Sequence, residues 1–525
     1  MFDLLIRNGR IVDGTGNPWY RADVGIRGER IAAIGHLAGA EAGHVIDAQG
    51  QVVCPGFVDP HSHSDLYLLA HPHHEPKIRQ GVTTEVLGQD GISYAPVSDE
   101  GMAYWRDYWR AVDGRPELDW GWRGVGEFLA CFDQRVSPNV AYLVPHGTVR
   151  YEVLGLADRP PTKGELAHME ELVAQGMEEG AVGLSTGLTY LPAFYSTTEE
   201  LVACCRAVAR YGGVYVTHLR DYGEHIAEAI EEALTIGRET GVPVHISHFN
   251  GRAEECLPLM DRARAEGLDV TFENYPYLAG CTLLSHFLPR WAQAGGIPDT
   301  VARLRDPAVR ERIQRKMAGT HEGQWQNYLI CAVGTEANQC YEGLLLPEAA
   351  EVAGKGVVDF ICDLIVEERL AVTVVQYHVH RTEEDLRAMT RHPAHMVCTD
   401  AIFLGSHPHP RGYGTYPRYL GHYVREEGVL TLEECIRKMT SLPAHRFGLW
   451  DRGLLSEGCF ADLVIFDPDA VQDTATFESP CQYPLGIDTV IVNGQVVLDN
   501  GQHTGATPGR GLKRGMSYTE SVFAR

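Results

Sequence analysis

The sequence predicts an α/β fold: a TIM-like (β/α)8 barrel with a small β-sandwich domain built from both chain termini and an inserted lid. Three observations indicate this fold. Apolar strands alternate with amphipathic helices through the middle of the chain, short Gly-punctuated strands occur at both ends, and one long segment interrupts the strand–helix rhythm. Alternating strands and helices indicate a parallel sheet, and this many units in one domain indicate a closed barrel.

The predicted barrel occupies residues 56–449. Helical segments such as TKGELAHMEELVAQGMEEG stand between several of its short apolar runs, each of which has the length and composition of a buried strand. In chain order the predicted strands are Val52–Val58, GVTTEVLG, NVAYLVPHG, AVGLSTGL, GVYVTHLR, PVHISHFN, DVTFENYPY, AVTVVQYHVH and HMVCTD.

Both chain ends have a different pattern, with short alternating strands separated by glycine turns, as in DLLIRNGRIVDG and IDTVIVNGQVVLDNGQ. Because the two ends share this style, residues 1–55 and 450–525 are predicted to form one small β-sandwich domain. Residues 281–370 lack the barrel rhythm and carry an Arg/Lys-rich helix. They are predicted to be a lid inserted over the barrel mouth.

Length and composition are those of an ordinary globular enzyme. The chain has 525 residues, 44% of them hydrophobic and 22% charged, and its formal net charge is −25. This acidity, with no local basic patch, argues against binding to nucleic acid or an anionic membrane. The absence of a signal-peptide pattern, of a long apolar run and of disulfide spacing among 13 cysteines predicts a cytoplasmic protein with reduced thiols.

Five metal-binding side chains lie at predicted strand ends. The motif FVDPHSHSD places two histidines two residues apart on an extended chain, so both imidazoles face the same side. A lone histidine after a strand is usually a hydrogen-bonding residue, but the joint pattern predicts a divalent-metal centre at the mouth of one barrel. The residues are His61, His63, His218, His248 and Asp400.

The sequence resembles the amidohydrolase superfamily, and within it the N-acyl-D-amino-acid deacylase (D-aminoacylase) branch. The resemblance covers nearly the whole chain, and the series of motifs is far more specific than the HxH pair alone. The motifs are PGFVDPHSHSD, GVTTEVLGQDGISYAP, VGLSTGLTYLPAFYSTTEEL, THLRDYG, HISHFNG, NYPYLAG, HPHPRGYGTYPRYLGHYVRE, LEECIRKMTSLPAHRFGLWDRGLLSEGCFADLVIFDP and GQHTGATPGRG.

The resemblance implies a role for each of these residues. One metal position would be held by His61 and His63 and a tighter zinc by His218 and His248, while Asp400 would act as general base and acid. On the substrate side, the resemblance implies that Arg411 clamps a carboxylate and that Tyr190 donates a hydrogen bond to the oxyanion. Tyr277 in NYPYLAG and Asn250 in HISHFNG are further candidate substrate-binding residues.

The chain departs from the branch at three positions. Asp90, in the turn QDG, occupies the place of a cysteine that ligates the tight zinc, and we expect its carboxylate to bind metal and to bridge two ions. Taken alone, an Asp in a turn more often forms an Asx-turn. Asn250 stands where the branch has lysine, and Ala401 stands where it has glycine after the catalytic aspartate.

The function implied is hydrolysis of a linear amide, the deacylation of N-acyl-D-amino acids, with one or two Zn²⁺ ions and with Mn²⁺ or Co²⁺ as alternatives. Two other functions stay open: a cyclic amidase resembling hydantoinase or dihydroorotase, and a non-catalytic hydantoinase-like scaffold. The middle strands offer no lysine for carboxylation, which counts against the first. The partner is a small N-acyl amino acid, and homo-oligomerisation is left open.

Five further histidines complete the candidates. His71, His73 and His74 are predicted to be mostly solvated loop residues. The second HxH pair, His378 and His380, is predicted to face the substrate or to support the ligands, and a direct metal role is the less favoured alternative.

Overall fold

The computed structural model of the protein describes residues 1–320 and 323–514. Within them the β-strands are β1 (Phe2–Ile11), β2 (Tyr20–Arg27), β3 (Arg30–Gly35), β4 (Ala42–Asp47), β5 (Val52–Pro55), β6 (Phe57–Asp59), β7 (Val82–Leu87), β8 (Asn139–Pro145), β9 (Gly183–Gly187), β10 (Val214–His218), β11 (Val244–Ile246), β12 (Val270–Asn274), β13 (Ala279–Leu283), β14 (Tyr328–Val333), β15 (Val372–Tyr377), β16 (His395–Val397), β17 (Leu463–Phe466), β18 (Ile487–Val492), β19 (Gln495–Asp499) and β20 (Gln502–His503).

The α-helices of the same residues are α1 (Tyr67–Ala70), α2 (Glu75–Ile78), α3 (Asp99–Tyr108), α4 (Arg110–Asp113), α5 (Val125–Ala130), α6 (His146–Leu154), α7 (Lys163–Glu178), α8 (Thr198–Arg210), α9 (Ile226–Thr240), α10 (Ala253–Ala265), α11 (Arg290–Gln293), α12 (Gly296–Arg305), α13 (Pro307–Thr320), α14 (Leu346–Val352), α15 (Val357–Glu367), α16 (Glu383–Arg391), α17 (Arg411–Arg418), α18 (Leu432–Met439) and α19 (Ser441–Arg446). A π-helix, Tyr419–Glu426, continues α17.

Eight parallel strands form the barrel. They hydrogen-bond in the order β6, β7, β8, β9, β10, β11, β12, β16. The sheet closes on itself beyond β6 and β16, because the backbone N–H of Asp400 donates to the carbonyl of His61 (2.9 Å) and that of His63 donates to the carbonyl of Ala401 (3.1 Å). Consecutive helices α7, α8, α9 and α10 pack side by side along the chain order of the strands. The predicted (β/α)8 barrel is therefore confirmed.

The two chain ends meet in one nine-stranded sheet made of β1–β5 and β17–β20. The link between them is an antiparallel pairing of β5 with β17, in which Cys54 lies opposite Val464. Val464 belongs to a buried cluster that also contains Tyr416 and Tyr419 from the helical segment after β16, so the terminal sheet packs against the barrel. The prediction that both termini contribute to one β unit is confirmed.

Two predicted barrel strands are wrong. The segment Val52–Val58 is two strands, β5 in the terminal sheet and β6 in the barrel, with Gly56 between them. A Cβ at Gly56 would lie 2.1 Å from Thr83 Oγ1, so only glycine fits where the chain passes from one sheet to the other. The run AVTVVQYHVH forms β15, which pairs antiparallel with β13 and β14 outside the barrel. An apolar run indicates burial but does not specify the sheet.

The segment between β12 and β16 is an insert with its own small sheet, in the order β13, β15, β14, and the helices α11–α15. This is the place where the sequence predicts a lid at 281–370. The three-stranded sheet begins at Ala279 and ends at Tyr377. The insert is therefore longer than the segment 281–370 that the sequence pattern predicts.

A buried lysine ties together the strands at the barrel seam. Lys77 Nζ donates to Ser62 Oγ and Thr399 Oγ1, each at 2.9 Å, and pairs with the carboxylates of Asp59 and Glu85. Asp59 also accepts a hydrogen bond from the backbone N–H of Thr399 at 3.0 Å. Since charges this deeply buried are tolerated only when paired, the cluster fixes the ends of β6, β7 and β16 relative to one another.

All thirteen cysteines lie in the described ranges, and none of them forms a disulfide. Among the described residues there is no helix of the length and apolar character needed to cross a membrane.

Candidate metal centre and active site

Four imidazoles and one carboxylate converge at the carboxyl ends of the barrel strands. His61 Nε2 and His63 Nε2 are 3.4 Å apart, and His218 Nδ1 and His248 Nε2 are 3.0 Å apart. The carboxylate of Asp90 lies between these two pairs, with an oxygen 3.5 Å from His218 Nδ1 and 3.6 Å from the facing nitrogen of each other histidine. Strands that are distant in sequence thus bring all five predicted metal ligands together.

The donor set fits divalent metal. The five residues divide into two groups that share one aspartate: His61, His63 and Asp90, and Asp90, His218 and His248. Ligands about 2.0–2.1 Å from a tetrahedral zinc lie about 3.3–3.4 Å from one another, close to the separations found here. Asp90 Oδ1 is buried and has no hydrogen-bond partner among the described residues. A divalent cation would bind both this oxygen and the imidazole nitrogens that face one another around it.

Three of the functional residues adopt left-handed backbone conformations immediately after their strands. Asp90 has φ 54°, His248 has φ 31° and Asp400 has φ 49°. Such values are uncommon for residues with a Cβ and cluster at functional sites. In each case the left-handed residue lies within three residues of the end of its strand. The positive φ falls on Asp400 and not on Ala401, so alanine is tolerated at the position where the branch has glycine.

The turn that carries Asp90 is held by its neighbours. Gly88 has φ 75°, and a Cβ there would lie 2.3 Å from the carbonyl oxygen of Leu143. Gln89 Nε2 donates to the carbonyl oxygens of Pro60 (2.7 Å) and Val86 (3.0 Å), which joins the turn to the strand before His61. The Asp90 carboxylate faces the imidazoles, whereas an Asx-turn would direct it to its own backbone.

Asp400 lies beside the first histidine pair and an arginine. Its Oδ1 is 3.2 Å from His63 Nε2 and 3.6 Å from His61 Nε2, and its Oδ2 is 2.8 Å from Arg411 Nη1. Burial opposes ionisation of Asp400, but the charge of Arg411 and the neighbouring imidazoles of His61 and His63 outweigh it and hold the pKa of this carboxyl below its usual value. Asp400 is therefore ionised.

The surroundings of the centre affect the pKa values of its members differently. Burial lowers the pKa of His61 to about 3. Burial also opposes charge on His63, but its hydrogen bond to Asp400 and the charge of Asp90 prevail and raise the pKa of His63 to about 9. Burial likewise disfavours the ionised form of Asp90, yet His218, His248 and His61 hold its pKa well below the usual value. Metal ligation requires neutral imidazole, so a cation would compete with the proton on His63.

Glu273, on β12, is a functional residue that the sequence analysis missed. Its Oε1 accepts from His61 Nδ1 at 2.9 Å and from the backbone N–H of His248 at 2.8 Å, and its Oε2 contacts His245. The first contact leaves His61 Nε2 to face the metal centre, and the second fixes a ligand of the other pair. The available signal was an acidic residue inside a segment predicted to be a buried strand, VTFEN.

A cavity of 1130 Å³ opens above the centre. The predicted residues Tyr190 and Asn250 line it together with His63, Asp90, His218, His248 and Asp400. Tyr277 is not among its described lining residues: its ring packs under the guanidinium of Arg418 at 5.2 Å. Tyr275, two residues earlier in the same motif, does line the cavity.

The predicted carboxylate clamp, Arg411, is fully buried and does not line this cavity in the described part of the chain. Its guanidinium stacks on the ring of Tyr275 at 4.5 Å and pairs with Asp400. In this structure Arg411 therefore holds a carboxylate of the chain itself.

The remaining histidines divide between surface and interior. His71 and His73 are exposed as predicted, but the prediction for His74 is wrong. His74 is buried, with Nε2 3.0 Å from Glu85 Oε2, because α2 carries it under the barrel mouth beside Lys77. His378 and His380 line the cavity, and neither belongs to a metal-binding group of the described residues.

Comparison with known proteins agrees with this arrangement. The sequence pattern described as "Amidohydrolase family" matches residues 44–498. The chain belongs to the amidohydrolase family. It is 39% identical to a D-aminoacylase of Alcaligenes xylosoxydans xylosoxydans over 535 aligned residues, with 98% of each chain covered. The predicted family and branch are both confirmed.

Solved amidohydrolase structures share the whole fold. A crystal structure of D-aminoacylase superposes with a TM-score of 0.82 and 36% identity, covering 98% of this chain and 100% of the other. The N-acyl-D-glutamate deacylase of Bordetella bronchiseptica has a TM-score of 0.82 and 32% identity, covering 98% of this chain and 99% of its own. That deacylase was solved with zinc and a phosphonate inhibitor that mimics the tetrahedral intermediate of the reaction.

The contacts of Glu273 predict a test of the metal centre. Glu273→Gln should reduce zinc affinity about 10–100-fold, since loss of an outer hydrogen-bond partner typically costs this much. Zinc titration of the metal-free protein against a competing chelator measures the effect. The matched control is Glu232→Gln, because Glu232 also pairs with a charged partner, Arg220, but contacts no ligand histidine. Equal zinc affinity in both variants would show that Glu273 does not position the ligands.

Proposed function

We propose that this amidohydrolase deacylates N-acyl-D-amino acids, releasing a D-amino acid and a carboxylate. Asp400 is the general base and acid of the proposed reaction, and a divalent ion that activates water would be held by His61, His63, Asp90, His218 and His248. One observation carries the proposal: a buried carboxylate, Asp400, lies 3.2 Å from His63 at the edge of an aspartate-centred ligand set and faces a cavity. The whole-chain similarity to D-aminoacylase supports the same choice of substrate class.

The chemistry of an amide defines what the site must supply. The histidines and Asp90 would hold a divalent cation, which would supply a Lewis acid and lower the pKa of water towards about 7. Asp400 takes a proton from the attacking water and returns it to the amide nitrogen, which leaves as an amine; proton transfer of this kind contributes about 10²–10⁴-fold. Arg411 keeps Asp400 in place and ionised through its 2.8 Å contact.

Tyr190 supports the developing oxyanion in this proposal. It follows β9, is buried beside His218 with ring centroids 5.0 Å apart, and lines the cavity. Burial and the charge of Asp90 raise the pKa of Tyr190 well above its usual value, so the phenol keeps its proton and can donate it in a hydrogen bond. One well-placed donor is typically worth about 3–4 kcal/mol at the transition state.

Zinc is the proposed ion, as one or two equivalents. Nitrogen and carboxylate donors suit Zn²⁺, and Asp90 lies between the two histidine pairs, where a carboxylate can bridge two ions. Because a carboxylate is a harder ligand than a thiolate, we expect Mn²⁺ and Co²⁺ to support activity better than in a cysteine-liganded relative.

The domain division belongs to the proposal as well. We infer that the terminal β unit, residues 1–55 and 450–525, is a structural support for the barrel at 56–449, and that the insert around 281–370 is a lid. The cavity wall includes insert residues, among them His286, Arg290 and Tyr328, which supports a lid over the substrate. The thirteen unpaired cysteines agree with action in the reducing cytoplasm.

A substrate screen tests the proposed function. N-acetyl and N-formyl D- and L-amino acids would be compared with hydantoins and dihydroorotate, using metal-free protein reconstituted with Zn²⁺, Mn²⁺ or Co²⁺. We expect release of amine from linear D-substrates only when metal is added. Turnover of the cyclic amides without turnover of the linear ones would favour the cyclic-amidase alternative, and absence of bound metal and of all turnover would favour the scaffold.

Asp400→Asn tests the proton-transfer role. The variant should keep its metal but lose about 10²–10⁴-fold in kcat, because an amide cannot carry a proton between water and nitrogen. Asp473→Asn is the control, since Asp473 also pairs with an arginine, Arg418 at 3.2 Å, but does not line the cavity. Metal analysis and steady-state kinetics measure both quantities, and near-normal kcat in Asp400→Asn would exclude Asp400 as the base.

A further inference from the structure

A threonine hydroxyl contacts the outer edge of one ligand imidazole. Thr189 Oγ1 lies 2.9 Å from His218 Nε2, whereas His218 Nδ1, the other ring nitrogen, faces His248 in the metal centre. The pairing of β9 with β10 fixes this contact, because Gly187 lies opposite His218 and the backbone N–H of Leu188 donates to the carbonyl of His218 at 3.2 Å. Thr189 follows directly on this hydrogen-bonded end of β9, so its position relative to the imidazole is set by the barrel sheet.

The aromatic rings that pack on His218 cannot select its metal-binding nitrogen by themselves. Tyr190 and Tyr222 lie against the imidazole, with ring centroids 5.0 Å and 4.9 Å away. Ring contacts constrain the plane of an imidazole, but they distinguish poorly between the ring and the same ring turned over. The hydrogen bond made by one ring nitrogen decides which nitrogen is free for a metal. At His218 this hydrogen bond is the one with Thr189.

The two histidine pairs differ in the partner that holds the outer ring nitrogen. Glu273 Oε1 accepts from His61 Nδ1 in the first pair, whereas a hydroxyl contacts His218 Nε2 in the second. A hydroxyl can accept or donate, and if it donated to Nε2, the ring proton would lie on Nδ1 and block ligation there. Thr189 lines the cavity, which leaves room for its own hydrogen to point away from His218. Its oxygen can then accept from Nε2–H.

We propose that Thr189 is a positioning residue that keeps His218 Nδ1 available to the metal, an inference that rests on the divalent-metal centre of the proposed function. Its effect is confined to the group that contains His218, because within the described ranges Thr189 has no hydrogen bond to either histidine of the other group. Tyr190, the proposed oxyanion donor, is the next residue in the chain. One turn after β9 therefore serves both the metal centre and the substrate.

Zinc titration of two proteins that each keep one metal-binding group tests this inference. His61→Ala leaves the group that contains His218, and His218→Ala leaves the group that contains His61. Thr189→Val replaces the hydroxyl by a methyl group and should lower zinc affinity about 10–100-fold in the His61→Ala background, the usual cost of losing an outer hydrogen-bond partner. In the His218→Ala background, where Thr189 has no ligand to hold, the same change should alter zinc affinity by less than about twofold.

Two further variants are the controls. Thr189→Ser retains the hydroxyl and should restore most of the zinc affinity that valine removes in the His61→Ala background. Thr382→Val removes a different cavity hydroxyl, which accepts from the backbone N–H of Asp385 at the start of α16. It should leave zinc affinity unchanged, because that hydroxyl supports a helix and not a ligand.

The outcomes separate this inference from the metal centre on which it rests. A wild-type protein that binds no zinc contradicts the centre itself. Equal losses with Thr189→Val in both backgrounds, no loss in the His61→Ala background, or a serine variant that binds as weakly as the valine variant overturns the role of Thr189. If His61→Ala does not fold, the comparison is made with all ligands present: Thr189→Val should bind zinc more weakly than Thr189→Ser, and identical zinc binding by the two contradicts the proposal.

Discussion

The structure depends on one carboxylate placed among four imidazoles. Asp90 belongs to both metal-binding groups, and its oxygens lie 3.5–3.6 Å from the facing nitrogens of the histidines. Only a closed barrel can bring the ends of β6, β7, β10 and β11 to one point, so the metal centre can form only when the barrel is closed. The Lys77 cluster at the seam holds the ends of the neighbouring strands together. Glu273, behind the ligands, fixes the orientation of the His61 ring and the backbone of His248.

Much of the fold and of the ligand set could be predicted from the sequence. The apolar runs marked seven of the eight barrel strands with little error, and each ligand lies at the end of one of the strands or within four residues after it. Local patterns carry this information because strand ends, turns and buried runs are specified by neighbouring residues. Asp90 was predictable only through its place in the QDG turn relative to the family motifs. By itself, an aspartate in a turn indicates an Asx-turn.

The features that could not be predicted depend on contacts between distant segments. The run AVTVVQYHVH has the apolar pattern of a barrel strand, but its partners β13 and β14 place it in the insert. In NYPYLAG the sequence does not distinguish Tyr275, which lines the cavity, from Tyr277, which packs under Arg418. Arg381 and Asn250 are 131 residues apart, so nothing local indicates that one holds the other. Pairing of this kind is fixed only when the barrel closes.

The most direct test of the account is zinc binding by Asp90→Ala, compared with Asp221→Ala. Asp221 also lines the cavity, but its carboxylate accepts from the backbone N–H groups of Gly223 and His225, as an ordinary turn aspartate does. The measurement is titration of the metal-free proteins with zinc. Loss of an outer hydrogen-bond partner typically lowers metal affinity about 10–100-fold, and Asp90→Ala should lower zinc affinity at both positions by more than this. Asp221→Ala should bind zinc normally. Wild-type zinc stoichiometry and affinity in Asp90→Ala would contradict a centre organised around this carboxylate.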